Sequence, residues 1–308
     1  MTNQQPSVPA DQVALRPAAT VMLVRDHEQG TGIEVLMVRR NLNSDFVGGA
    51  YVFPGGAVDP ADSASDVERR SQGRTDAEAS EILGIERGGL TYWVAVLREC
   101  FEEAGVLLAT DPQGTMLRLD EVSIASRFAE HRRKLNAREC SFVDIALAED
   151  LHLAVQDVAY FAHWITPEGA PRRYDTRFFV ARAPEAQVPA HDAGEVIADL
   201  WISPAEALAA HQREEIELIF PTIKNLQAIS RFSTVDALLK AAATAESVPA
   251  IMPRITVTGE GVRILLPGDE GYDLVATPTH ATPSGDFNAT IRKISHQANP
   301  GDGTNSQP

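Results

Sequence analysis

Cysteine is almost missing from this chain: Cys100 and Cys140 are the only two among 308 residues. A disulfide framework is therefore not what holds it together, and a reducing, cytoplasmic setting is expected. Long apolar runs are missing too. None approaches the roughly 20 residues that a membrane span needs. The opening MTNQQPSVPADQ has neither a charged n-region nor an apolar h-region, so no secretory leader is expected. Positive charge is scarce: 27 Lys and Arg face 43 Asp and Glu, for a net charge of −16. That balance argues against a nucleic-acid partner. Only four of the basic residues are Lys, and the Arg- and Ala-rich usage suggests a GC-rich bacterial source. His163 and His191 have no partner His at metal-ligand spacing, so neither reads as a metal ligand. No Ser or Cys carries a flanking His-Asp arrangement, so a covalent nucleophile is not expected.

What is present is the run Arg98-Glu99-Cys100-Phe101-Glu102-Glu103-Ala104-Gly105-Val106. On a helix Glu99, Glu102 and Glu103 stand at i, i+3 and i+4 and share a face. Val94, Leu97, Phe101 and Ala104 fall roughly opposite, where a core would lie. Carboxylates at this spacing repel by about a few tenths of a kcal/mol per pair. Arg98, four residues before Glu102, offsets part of that, and a divalent cation would offset the rest. Oxygen-only ligation suits Mg2+ or Mn2+ rather than zinc. A solvated acidic face is the plain alternative for any Glu-rich helix. Against it stands the rarity of R-E-x-x-E-E-x-G, on the order of one in a million per position at average residue usage. The upstream Phe53-Pro54-Gly55-Gly56 adds to the case, because a Pro-Gly-Gly turn brings bare backbone close to its neighbours.

These residues resemble the signature of the Nudix hydrolases, G-x5-E-x7-R-E-U-x-E-E-x-G-U, with U bulky and apolar. Gly56 matches the opening Gly, and Arg98 to Val106 match the closing half at every fixed position. Two departures stand out. Asp62 occupies the place of the first Glu, and 35 residues separate it from Arg98 where the signature has seven. An insertion inside the box, with AYVFPGGAVDPADS, HWITPEGAPRRYDTRFF and LWISPAEAL around it, resembles the peroxisomal coenzyme A diphosphatases. Leu36, Met37, Arg40 and Gly49 fit the coenzyme A motif of that subgroup, while Asp45 stands where the motif has a second Arg. The resemblance covers roughly residues 17–230.

The resemblance implies an α+β Nudix fold, a mixed β-sheet flanked by helices in an α/β/α sandwich, with helical insertions and a C-terminal extension. Its expected layout is a flexible arm at 1–16 and a Nudix domain at 17–232, with an insertion near 60–90 and a helical lobe near 116–151. An extension at 233–276 and a disordered tail at 277–308 follow. Strands are expected at 18–24, 33–40, 50–53, 158–166, 173–183 and 195–203, and the signature helix at 91–104. Ser203-Pro204-Ala205-Glu206 reads as a helix start.

The resemblance also implies roles. Glu102 and Glu103 would bind Mg2+ or Mn2+, Glu99 would share in binding or orient water, and the Gly55 carbonyl would complete the shell. Arg98 would hold Glu99 or Glu102. Glu195, six residues before Trp201, is the candidate for a further carboxylate acting as base or ligand, with Asp192 the runner-up. Arg40, Arg172 and Arg173 are candidates to grip substrate phosphates. The basic cluster His131 to Lys134 reads as a solvated helix face, and Tyr51, Trp93 and Tyr160 as core. The expected activity is metal-dependent hydrolysis of a nucleoside diphosphate linked to another moiety, preferentially coenzyme A or acyl-coenzyme A. An ADP-ribose or dinucleotide pyrophosphatase is the rival, and a catalytically silent ligand-binding domain the distant third. Two amphipathic helices at 116–151 are expected to wall a groove for the pantetheine or acyl arm. A small-molecule substrate is the expected partner, with no membrane partner, and both a monomer and a homodimer are compatible with the sequence.

Overall fold

The computed structural model of the chain describes residues 13–28, 30–43, 47–63, 66–192, 194–258, 261–276 and 284–297, with Pro9 and Pro278. In chain order come β1 (Leu15–Asp26), β2 (Ile33–Arg40), β3 (Tyr51–Val52) and β4 (Gly55–Ala57). A 3-10 turn at Pro60–Ser63 leads to α1 (Val67–Arg70), α2 (Asp76–Leu83) and α3 (Gly89–Ala104). Next are β5 (Ala109–Thr110), α4 (Val122–Asn136), α5 (Phe142–Ala148) and β6 (His152–Leu153). Then β7 (Val158–Ile165), β8 (Arg173–Arg182) and β9 (Val196–Ile202) precede α6 (Pro204–Gln212), α7 (Phe220–Ile229) and α8 (Val235–Ala243). The C-terminal part adds β10 (Ala250–Ile251), β11 (Arg254–Thr258), β12 (Gly261–Leu265) and α9 (Ser284–Gln297).

Strand β1 is the axis. Its odd positions Ala19, Val21 and Leu23 bury on one face and its even positions Met22 and Val24 on the other, as a strand covered on both sides must. It runs parallel to β8 and antiparallel to β2, and its first half also pairs with β4. The full order is β10-β7-β8-β1-β2-β3, with β4 joined to β1 and β9 to β2. Residues of α1 to α5 bury on the odd face and residues of α6 to α9 on the even face, which gives the α/β/α Nudix architecture.

The helices start and stop where local chemistry demands. Thr75 and Glu78 form a capping box at α2, and Gly84 ends it in the left-handed region. Ser203 accepts from the Glu206 amide and Pro204 opens α6. Helix α3 ends at Gly105, whose φ of 68° favours glycine. At its other end α3 crosses α2 closely: a Cβ on Gly89 would lie 2.2 Å from the Ser80 amide nitrogen.

The insertion packs Val67, Ala79 and Leu83 into the α3 core. Two expectations change. The 116–151 lobe does form helices, but Phe128, Phe142 and Ile145 pack onto that same α3 core instead of walling a groove. Residues 284–297 of the expected disordered tail form α9, with Phe287, Ile291 and Ile294 buried. Their i, i+4, i+7 spacing is a helical face that the Gly- and Pro-rich surroundings obscure. The rest of that tail except Pro278, most of the 1–16 arm and Asp45 lie outside the described residues.

Candidate active site

Strand β4 and helix α3 meet without a spacer. A Cβ on Gly56 would lie 2.5 Å from Glu99 Oε1, so only glycine leaves room for that carboxylate. One residue earlier, the Gly55 amide N–H donates to Glu103 Oε2 at 2.9 Å. The turn and the acidic helix face are thus in direct contact despite the long insertion between them.

Arg98 is the hub. Its Nη1 donates to Glu99 Oε1 and to Glu102 Oε2, each at 2.7 Å. Its Nη2 donates to the Ala57 carbonyl at 2.9 Å. Its Nε and Nη2 also reach the two carboxylate oxygens of Asp62, at 2.8 and 3.0 Å. Asp62 is almost completely buried and also accepts from the Asp59 amide. It keeps the acidic character of the signature's first Glu and uses it to pin the arginine in a two-point pair. Its role was not legible from the sequence, where only its position in the signature pointed to it.

Burial pushes the Glu99 carboxyl up to about 7, with Arg98 pulling against it and Glu102 adding to it. Glu102 is raised by burial against the pull of Arg98. Glu103 is raised well above the usual range, first by burial, then by Glu99, against the donated Gly55 N–H. Arg98 is the reverse case: burial disfavours its charge, and Asp62, Glu99 and Glu102 more than restore it. The site therefore holds more negative charge than Arg98 neutralises. As arranged, Glu99 and Glu102 are turned onto Arg98, and among the described residues no three His, Cys, Asp or Glu side chains converge on one point. The donor set is nonetheless oxygen-only and crowded, which fits a hard divalent cation.

Glu195 stands across from the turn at the start of β9. Its negative charge adds to the upward shift of Glu99, Glu102 and Glu103, and its carboxylate is 4.0 Å from Arg40 Nη2. Arg40 Nε is buried with no acceptor among the described residues. Asp192 spends its carboxylate on the Glu195 and Val196 amides, which makes it a loop cap. Arg173, expected at the substrate, is buried and donates to the Thr166 carbonyl and Met252 Sδ, tying β8 to the extension. Arg172 precedes it in the β7–β8 turn. His163 pairs with Asp175 and His191 with Asp199. Trp93 and Tyr160 are core.

The basic cluster divides. Arg133 pairs with Glu130 and Glu139, and His131 with Glu149. Arg132 instead turns inward, its Nε donating to the Glu102 carbonyl at 3.0 Å. The even face of the sheet carries a cavity of about 370 Å3. Gly55, Gly56, Arg40 and Glu195 lie along it, and Trp164, Phe220, Ile264, Phe287 and Ile291 supply its apolar lining.

Comparison with known proteins follows this geometry. A family model described as the NUDT19 Nudix domain matches residues 74–229. Acyl-coenzyme A diphosphatase NUDT19 of Homo sapiens is 27% identical over 275 residues, covering 78% of this chain and 72% of that protein. The protein of the same name from Gallus gallus is 28% identical over 276 residues, with the same coverage of 78% and 72%. The crystal structure of a NUDIX hydrolase from Alicyclobacillus acidocaldarius superposes with a TM-score of 0.60 at 27% identity, covering 74% of this chain and 97% of that one.

Proposed function

Given that the chain belongs to the Nudix hydrolase family, we propose that it is a metal-dependent diphosphatase whose preferred substrates are coenzyme A and its acyl thioesters. Hydrolysis of a pyrophosphate bond is the family's chemistry, and the two vertebrate relatives are named for the acyl-coenzyme A version of it. The observation that carries the reading is the continuity between the acidic α3 face and the apolar cavity at the Gly55–Gly56 turn. A substrate for this site has a diphosphate at one end and a long, weakly polar arm at the other.

Glu99, Glu102 and Glu103 would hold Mg2+ or Mn2+, with the Gly55 carbonyl as a further oxygen ligand. Such an ion supplies charge neutralisation at the phosphoryl oxygens and lowers the pKa of water. The chain's own groups do the rest. Arg98 holds Glu99 and Glu102 in place from a base fixed by Asp62. Arg40 offers its unpartnered Nε–H to a phosphate oxygen. Glu195, whose carboxylate lies 4.0 Å from Arg40 Nη2, takes the proton of the attacking water.

Mass-spectrometric product analysis tests this. With Mg2+ present, coenzyme A should give 3′,5′-ADP and phosphopantetheine, and an acyl thioester should give the acylated equivalent. Chelation should stop both. A kcat/KM for ADP-ribose above that of every thioester tried would leave only the general diphosphatase.

A further inference from the structure

We infer that the even-face cavity is the binding site for the acylated arm of the substrate, and that α9 closes its far end and sets the chain length accepted. This rests on the diphosphatase reading above. A cavity of about 370 Å3 is within the range of roughly 300–1,000 Å3 typical of small-molecule sites. Its charged lining residues are Arg40 and Glu195, both beside the Gly55–Gly56 turn. Away from them the wall carries no charge and is mostly apolar, contributed by β7, β8, α7, β12 and α9, with the hydroxyls of Thr166, Tyr174, Thr176 and Thr222 interspersed. Arg40 is the single cation among the lining residues and stands at the Gly55–Gly56 end, so the rest of the cavity offers a nucleoside bisphosphate no positive charge. An amide-bearing thioester arm does fit: apolar along most of its length, with isolated carbonyl oxygens.

The tryptophans point the same way. Trp93 and Trp164 are both buried. Trp93 Nε1 donates to the Val158 carbonyl at 2.9 Å. Trp164 lines the cavity, and its buried Nε1 has no acceptor among the described residues. Buried indole N–H groups ordinarily find a partner, and a carbonyl of the arm would supply one. Phe287 and Ile291, four residues apart on α9, are the wall from the far C-terminal segment. They lie on a helix that packs against α7 and β12, so a change in their size changes depth and not chemistry.

The test is a kinetic series on the full chain with Mg2+: coenzyme A, its butyryl, octanoyl and palmitoyl thioesters, and ADP-ribose as a diphosphate without the arm. Ile291→Trp fills the cavity and should lower kcat/KM for octanoyl and palmitoyl substrates at least tenfold relative to ADP-ribose. Phe287→Ala deepens it and should shift the preferred chain toward longer acyl groups. Far-UV circular dichroism and the melting temperature report whether each variant folds, independently of turnover. Ile291→Trp lowering ADP-ribose and thioesters by the same factor would place the nucleoside in the cavity and overturn the inference. An unchanged chain-length profile in both variants would overturn it too, while leaving the diphosphatase standing. Wild-type protein that cuts ADP-ribose and no thioester would remove the substrate class and the inference together.

Discussion

The two faces of the sheet solve opposite problems. On the odd face, acids crowd around one arginine, and each is held by a named donor: Arg98 for Glu99, Glu102 and Asp62, and the Gly55 amide for Glu103. On the even face, a largely apolar cavity is lined by Arg40 and Trp164, whose buried Nε and Nε1 have no acceptor among the described residues. The first region is over-supplied with negative charge and the second under-supplied with acceptors. They meet at two glycines. The lesson is a division of labour: charge chemistry sits on the single helix α3, while the apolar cavity is assembled from elements far apart in sequence.

The charged region should be the more fragile. Arg98→Ala strips the partner from a buried Asp62 and from Glu99 at once. Breaking a buried pair in this way costs about 3–5 kcal/mol. Urea denaturation should show that loss, and a variant within 1 kcal/mol of wild type would mean the network contributes little to stability. Glu102→Gln or Glu103→Gln should leave the fold intact and lower turnover by about two orders of magnitude or more, roughly 3 kcal/mol of transition-state stabilisation. Near wild-type turnover at saturating Mg2+ in both would sink the metal assignment.

The junction between the faces sharpens the comparison further. A Cβ on Gly55 would lie 2.6 Å from the Ala19 carbonyl oxygen and from Thr20 Cα, which are backbone and cannot yield. Gly55→Ala should therefore cost stability, about 1–3 kcal/mol as overpacking does. For a Cβ on Gly56 the three nearest atoms all belong to the Glu99 carboxylate, the far end of a flexible side chain. Gly56→Ala should fold almost normally and lose activity, on the order of tenfold, by displacing Glu99. Equal melting temperatures for the two variants would break the distinction.

How much of this was readable in advance follows from chain distance. The acidic face of α3 was legible because a helix forces residues three and four apart onto one side. Strands β2, β7 and β8 were legible from their apolar runs, and α2 from DAEASEIL. Asp62 as the anchor of Arg98 was not, because a 35-residue excursion carries no information about where its ends meet. The expected groove was assigned to the helices at 116–151 for being amphipathic. Amphipathicity says that a face is covered, not by what, and α3 covers it. The cavity is not legible in the sequence because Trp164, Phe220, Ile264 and Ile291 are far apart along the chain, and Ile291 falls in the segment expected to be disordered.

The smallest expected effect concerns the helical lobe, whose link to the acidic face is Arg132. Two donors four residues apart on α4, Arg132 Nε at 3.0 Å and Asn136 Nδ2 at 3.4 Å, point at the Glu102 carbonyl. That carbonyl is in the last turn of α3, where helix carbonyls lack intrahelical partners. Arg132 also covers Gly105, its Nη1 lying 3.0 Å from where a Cβ would be. Arg132→Met keeps much of that cover and removes the donor. Its stability cost should stay within about 1 kcal/mol, since the Glu102 carbonyl keeps Asn136 as a donor and Arg132 Nη2 is already buried with no acceptor among the described residues. The sensitive readout is the Mg2+ titration. With the backbone of Glu102 and Glu103 less firmly held, the Mg2+ concentration for half-maximal turnover should rise a few-fold while kcat at saturating Mg2+ changes little. A fall in kcat with no shift in the Mg2+ titration would show that the lobe does not steady the acidic helix, and that its contact with the odd face is packing alone.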